Sequence, residues 1–202
     1  MRSLRGQDLL IASSNAGKLA EFEALLAPFG TKVISLKDMG LAEPDETEFT
    51  FAGNARLKAR AASLASGIPA LADDSGLEVA ALGGLPGIYT ADWAERSGGR
   101  DFERAMANTW NLLMAIRSRP PYLASFHCCL IISWPDGKDM VFNGHLSGQI
   151  VWPMRGAQGH GYDPIFQPDG HSLTMGEMSV ELKNLISHRS DAVQKFTAQC
   201  FT

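Results

Sequence analysis

The amino-acid sequence predicts an α/β protein with a mixed central β-sheet and flanking helices. Two observations carry this. In the first third of the chain, apolar strand-like runs alternate with stretches of helical spacing. Further on, "YLASFHCCLIIS" and "MVFNGHLSGQI" flank the turn "WPDGK", so two long strands should pair antiparallel. In chain order, "DLLIAS" reads as a buried strand and Lys18 to Leu26 as a helix. "TKVISL" is a second strand and "EPDETEFT" an acidic loop. Phe49 to Ser66 has helical spacing and stops at Gly67, a residue suited to a helix C-cap. "PALADD" reads as a short strand ending on two carboxylates, and "ALGGLPGIYTADW" as a Gly/Pro-rich loop. Asp101 to Arg117 forms an amphipathic helix closed by Pro120 and Pro121. "RGAQGHGYDPIFQPDG" is a loop running into a short strand. Ser179 to Gln199 is mostly helical, interrupted around "SHRSD".

The 202 residues are 45% hydrophobic and 20% charged, an ordinary globular composition. That length suits a single domain, residues 1–202. The formal net charge is −4, so the chain carries no general nucleic-acid footprint. Any anionic ligand must be held by a local cluster of Lys, Arg and amide groups. Three cysteines with no metal-ligand spacing fit reduced thiols in a cytoplasm. Cys128 and Cys129 are adjacent in a strand-like run and should face opposite sides of it. No stretch reaches membrane-spanning length, and the N-terminal apolar run is too short for a signal peptide.

Four polar groups fall at the ends of these elements. The first is "SSNAGK", where a strand turns into a helix. It is not a P-loop, because Ala12 and Leu19 stand where that motif needs Gly and Ser or Thr. The N–H groups of the helix start, the side chains of Ser13, Ser14 and Asn15, and the charge of Lys18 could still hold an oxyanion. An ordinary Ser/Asn N-cap followed by a surface Lys is the plainer reading of this turn taken alone. The second is "ALADDSG". Asp73 and Asp74 at a strand end would suit Mg²⁺, and so would a plain Asx-turn. Asp45, Glu46 and Glu48 in the acidic loop could add a ligand or form a solvated charge run.

The third group is "GHGYDPIF". Gly159 and Gly161 permit unusual backbone, His160 and Tyr162 present rings that can stack on a base, and Asp163 can accept from a ring N–H. A tyrosine packed in the core beside a Pro turn is the plainer alternative. The fourth is "LKNLISHRSDA". Arg189 can make bidentate phosphate or base-edge contacts, alongside Lys183 and His188, or all three can lie on a solvated helix face.

The order and combination of these motifs resemble the inosine triphosphate pyrophosphatase family nearly end to end. The family's T-G-N-x-x-K is similar to "SSNAGK", and E-T-x-x-x-F-x-x-N-A-x-x-K-A to "ETEFTFAGNARLKA". "ADDSGL" and "LGGLPGIY" match unchanged, F-G-Y-D-P-I-F resembles "HGYDPIF", and K-x-x-I-S-H-R matches "KNLISHR". Four departures stand out. Ser13 and Ser14 replace Thr and Gly, and Gly53 replaces a common Glu. His160 replaces Phe, and Leu182 replaces a Glu before the Lys.

The resemblance implies two lobes around a nucleotide-binding cleft, and hydrolysis of non-standard purine nucleoside triphosphates (ITP, dITP, XTP) to monophosphate and pyrophosphate. It implies Mg²⁺ on Glu46 and Asp74, with Asp74 also orienting and deprotonating the attacking water. Asp73 would be a second ligand or a structural support. The substrate would be held by Ser13, Ser14, Asn15, Ala16, Gly17, Lys18, Lys58, Ser75, His160, Gly161, Tyr162, Asp163, Lys183, His188 and Arg189. A cytoplasmic homodimer is implied, with "LGGLPGIYTADW" as candidate interface and no nucleic-acid or membrane partner. Two other classes remain open at this point. One is a related septum-inhibitor-like pyrophosphatase acting on modified pyrimidine nucleotides. The other is a nucleotide-binding protein without catalysis.

Overall fold

The computed structural model describes residues 2–201. A six-stranded sheet has the order β2 (Val33–Ser35), β1 (Leu9–Ile11), β3 (Ala70–Val79), β6 (Leu123–Ser133), β7 (Asp139–Ile150), β8 (Phe166–Pro168). Strand β1 pairs parallel with β2 and with β3, whereas β7 and β8 pair antiparallel, so the sheet is mixed. A separate two-stranded ribbon joins β4 (Glu95–Arg96) to β5 (Gly99–Arg100). The helices are α1 (Ala16–Leu26), α2 (Phe51–Ser66), α3 (Phe102–Ala115), α4 (Val180–Ile186) and α5 (His188–Cys200).

The chain divides into two compact units. The first comprises the chain up to Asp74, Cys128–Gly144 and the chain from Arg189 on. Its strands bury alternate residues on opposite faces, as the pleat requires. Leu9, Ile11, Leu71 and Cys128 join Phe22 and Leu26 of α1 and Phe196 of α5 in one apolar cluster. Leu10, Ala70, Ala72 and Cys129 join Ala55, Ala59 and Ala62 of α2 in another. The small residues of α2 let that helix lie close to the sheet. The expected opposition of Cys128 and Cys129 is therefore present. The second unit, Ser75–His127 and His145–His188, has its own core of Leu77, Met106 and Leu113 with Phe126, Tyr162 and Phe166.

Two expectations need correction. The strand read as ending at Asp74 continues to Val79, so both carboxylates lie inside β3. It continues because partners offset their charge there, and because Leu77 and Val79 are buried strand residues. The Gly/Pro-rich loop contains three short 3₁₀ turns, at Ala80–Leu82, Gly87–Tyr89 and Asp92–Ala94. The expected interruption around "SHRSD" is present: it is the single residue Ser187, and His188 already opens α5.

Gly53 has a local cause. It is the third residue of α2, whose N-cap is Thr50. Glu at that place would normally complete a capping box. A Cβ on Gly53, however, would fall 2.5 Å from Glu48 Cβ and 3.1 Å from Thr50 Oγ1. Only one of the positions 48 and 53 can carry a long side chain. Gly53→Glu should therefore destabilise the protein by about 1–3 kcal/mol. Glu48→Gly added to it should restore the thermal midpoint to the wild-type value or above. A tolerated single substitution would show that the clash relaxes freely.

Candidate active site

Asp73 is wholly buried, and successive residues of β3 point to opposite faces. Asp73 therefore faces α1 and α5, and Asp74 faces α2. On the first face, Lys18 Nζ is 2.9 Å from Asp73 Oδ1, and Arg189 Nη2 donates to Asp73 Oδ2 at 2.9 Å. Arg189 also bonds Glu21 and lies over the ring of Phe22. Burial alone would push the Asp73 carboxyl up, but the charges of Lys18, Arg189 and Lys58 outweigh it and hold it well below the ordinary carboxylate range. Arg189, although buried, is held more firmly protonated than usual by Asp73 and Glu21.

On the other face, Asn54 Nδ2 donates to Asp74 Oδ2 at 3.1 Å, and Asn54 Oδ1 accepts from the Glu48 N–H. Lys58, 2% exposed, reaches Glu46 Oε1 at 2.5 Å and lies 3.8 Å from Glu43 Oε1. Asp74 behaves oppositely to Asp73. Burial pushes it up, Lys58 pulls it back, Glu46 adds to the rise, and the result is about 6. The two adjacent carboxylates thus meet different partners, Asp73 bonding Lys18 and Arg189 and Asp74 bonding Asn54.

Glu46 and Asp74 were expected to hold Mg²⁺. Both are hard oxygen donors, the negative charge of Glu46 adds to the rise that burial gives Asp74, and Lys58 supplies positive charge to both. That donor set fits an ion which keeps several waters and also takes substrate phosphates. Among the described residues no group of three His, Cys, Asp or Glu could hold a metal as a closed cage.

The strand-to-helix turn departs from the expectation of open N–H groups. Asn15 is the N-cap of α1, and its Oδ1 accepts from Gly17 and Lys18. Ser13 Oγ accepts from the Asn15 N–H. Ser14 donates from both its N–H and its hydroxyl to Glu43. The capping alternative is therefore real, and it coexists with the ion pair of Lys18.

In the second unit, Lys183 Nζ meets Asp163 Oδ2 at 3.1 Å, and the His160 N–H donates to the same oxygen at 3.2 Å. Burial pushes Asp163 up and Lys183 opposes it, with a net rise. Gly159, at φ +84°, has no room for a Cβ, which would collide with Asp163 and Lys183. His188 stacks on Phe126 at 4.9 Å. His160 is exposed, with Gly161 (φ +67°) beside it, and Ser75 is partly exposed on β3. Tyr162 is corrected: its ring is 1% exposed and meets Phe102 edge-on, so it supports a wall and offers no face to a ligand. Sequence reasoning passed over Asn54, Glu21 and Glu43. Asn54 was visible in the quoted "GNARLKA" block; the other two have no local motif.

An α/β sheet with cations gathered on strand carboxylates, beside a capped strand-to-helix turn, defines a class of protein suited to polyphosphate ligands. The model of the Ham1 family matches residues 9–199, and the chain belongs to that family. A dITP/XTP pyrophosphatase of Ruegeria pomeroyi is 54% identical over 99% of this chain and 98% of its own. One of Rhizobium meliloti is 47% identical over 99% of both. The solved structure of a HAM1 protein from Coxiella burnetii superposes with a TM-score of 0.87 at 34% identity, over 95% of this chain and 97% of that one.

The raised Asp74 yields a stability prediction. Its folded value of about 6 lies above its unfolded value near 4. The cost of ionising buried Asp74 is therefore absent below about pH 4, accrues as pH rises from about 4 to about 6, and stays level above that at up to about 3 kcal/mol. Without divalent metal, Asp74→Asn should be more stable than wild type at pH 8, and the gain should fade towards pH 4. Thermal unfolding at several pH values checks this; a gain independent of pH contradicts the assignment.

Proposed function

We propose that this protein hydrolyses non-canonical purine nucleoside triphosphates (ITP, dITP and XTP) to the monophosphate and pyrophosphate, clearing deaminated purines from the nucleotide pool. The observation that carries the reading is the contrast within β3: Asp73 is locked as an anion by Lys18 and Arg189, while Asp74 is poised at about 6. The naming of the relatives as dITP/XTP pyrophosphatases supports it.

In this reading Lys18, Lys58 and the Ser13–Gly17 turn take the phosphate tail, and Arg189 holds Asp73 so that Lys18 stays in place. Water attacks the α phosphorus in line, the α–β bridge P–O bond breaks, and pyrophosphate leaves with that electron pair. Asp74 takes the proton of the water. Asn54 fixes the orientation of that carboxylate. Glu46 and Asp74 are the donors that would hold Mg²⁺, whose chemistry there is phosphate charge neutralisation and acidification of water. Lys18 stabilises charge developing on the departing pyrophosphate.

The base is assigned to the second unit's groups. Asp163, balanced by Lys183, would accept from a ring N–H, and His188 would donate to O6. Exposed His160 would stack where relatives carry Phe, beside Ser75 and Gly161 as sugar and backbone contacts. We further propose a cytoplasmic homodimer that uses the "LGGLPGIYTADW" stretch, where Leu85 and Tyr89 are exposed. No described helix is long and apolar enough to cross a membrane.

Pyrophosphate release across ITP, XTP, dITP, GTP, ATP and dUTP with Mg²⁺ tests the substrate class. The first three should exceed the rest in kcat/KM, and preference for dUTP would favour the pyrimidine alternative. Asp74→Asn should lose at least about 100-fold in kcat, the scale of a removed general base. Lys18→Ala should weaken triphosphate far more than monophosphate binding. Equal weakening of both would place Lys18 away from the tail.

A further inference from the structure

Glu43 belongs neither to the expected metal pair nor to the expected phosphate ligands. It sits in the irregular loop before α2. Its Oε2 accepts from the Ser14 N–H at 2.7 Å and from the Ser14 hydroxyl at 2.5 Å, and its Oε1 is 3.8 Å from Lys58 Nζ. A backbone N–H, a hydroxyl and a buried lysine at a strand-to-helix turn are what an oxyanion of a phosphate would use. Here they are used by a carboxylate of the chain itself.

We propose that Glu43 is an internal competitor of the phosphate tail for the Ser14 turn. The inference rests on the proposed placement of that tail. A ligand that needs Ser14 must displace Glu43, so its apparent affinity is reduced by the fraction of molecules in which the turn is open. The factor is the same for every such ligand, but its effect on occupancy is not. Free phosphate and nucleoside monophosphates, held by few contacts, are excluded at ordinary concentrations. A triphosphate, with Lys18 and Lys58 as further partners, still binds. After hydrolysis, return of Glu43 to Ser14 favours release of pyrophosphate.

Calorimetric titration with inorganic pyrophosphate, at fixed ionic strength and without divalent metal, tests this on wild type, Glu43→Ala, Glu43→Gln and Lys18→Ala. Glu43→Ala should bind about tenfold tighter than wild type, the factor of one charge-assisted hydrogen bond removed from the competitor. Glu43→Gln, which keeps the shape and loses the charge, should shift in the same direction, and Lys18→Ala should bind more weakly. If Lys18→Ala weakens binding but both Glu43 variants stay within twofold of wild type or bind more weakly, the competitor role falls alone. If Lys18→Ala changes nothing, or none of the four proteins binds pyrophosphate, the tail does not use this turn and both readings fall.

Discussion

Asp73 is an ionised carboxylate with no access to water, kept charged by Lys18 from α1 and Arg189 from α5. Burying one such charge without a partner is among the costliest things a core can contain, so removing either cation should be felt throughout the first unit. The constraint fixes more than the triad. Lys18 can reach Asp73 only if α1 starts directly after β1, which the Asn15 cap enforces. Arg189 can reach it only if α5 opens at its position, with Glu21 and Phe22 closing over the guanidinium. The apolar packing of Phe22, Leu26 and Phe196 beneath then holds both helices against the sheet.

Strand alternation turns this constraint into chemistry. Because consecutive side chains leave β3 on opposite faces, the carboxylate next to Asp73 makes no bond to Lys18 or Arg189 and meets α2 instead. There it finds a neutral amide, a lysine shared with two glutamates, and enough burial to raise it to about 6. One dipeptide thus supplies a permanent anion on one face and a proton acceptor on the other. The same device puts Cys128 and Cys129 on opposite faces of the sheet, one thiol against Asp73 and the other among the alanines of α2.

Much of this was legible in the residues. Helix ends with side-chain or glycine caps, Asn15 and Gly67, fell where the sequence placed them, because capping is local chemistry. The motif residues Lys18, Lys58, Asp74, Asp163, Lys183 and Arg189 all prove to be charged groups held by specific partners. What could not be read was who partners whom. Glu43 lies 29 positions from Ser14 and Glu21 lies 168 from Arg189, so no local pattern announces either pair. The length of β3 was underestimated because paired carboxylates read as a strand end, although buried ion pairing allows the strand to continue. Tyr162 looked like a ligand-facing ring because a glycine precedes it, yet Phe102 makes it a core residue.

In the proposed function, Asp74 directs water at the α phosphorus of a nucleotide whose tail leaves intact as pyrophosphate. Hydrolysis of ITP in ¹⁸O-labelled water, followed by mass spectrometry of the products from single turnovers, reads the attacked atom directly. The account predicts the label in inosine monophosphate and none in pyrophosphate. Label in pyrophosphate would mean attack at the β phosphorus, and release of orthophosphate would mean cleavage at the γ end; either result would contradict it.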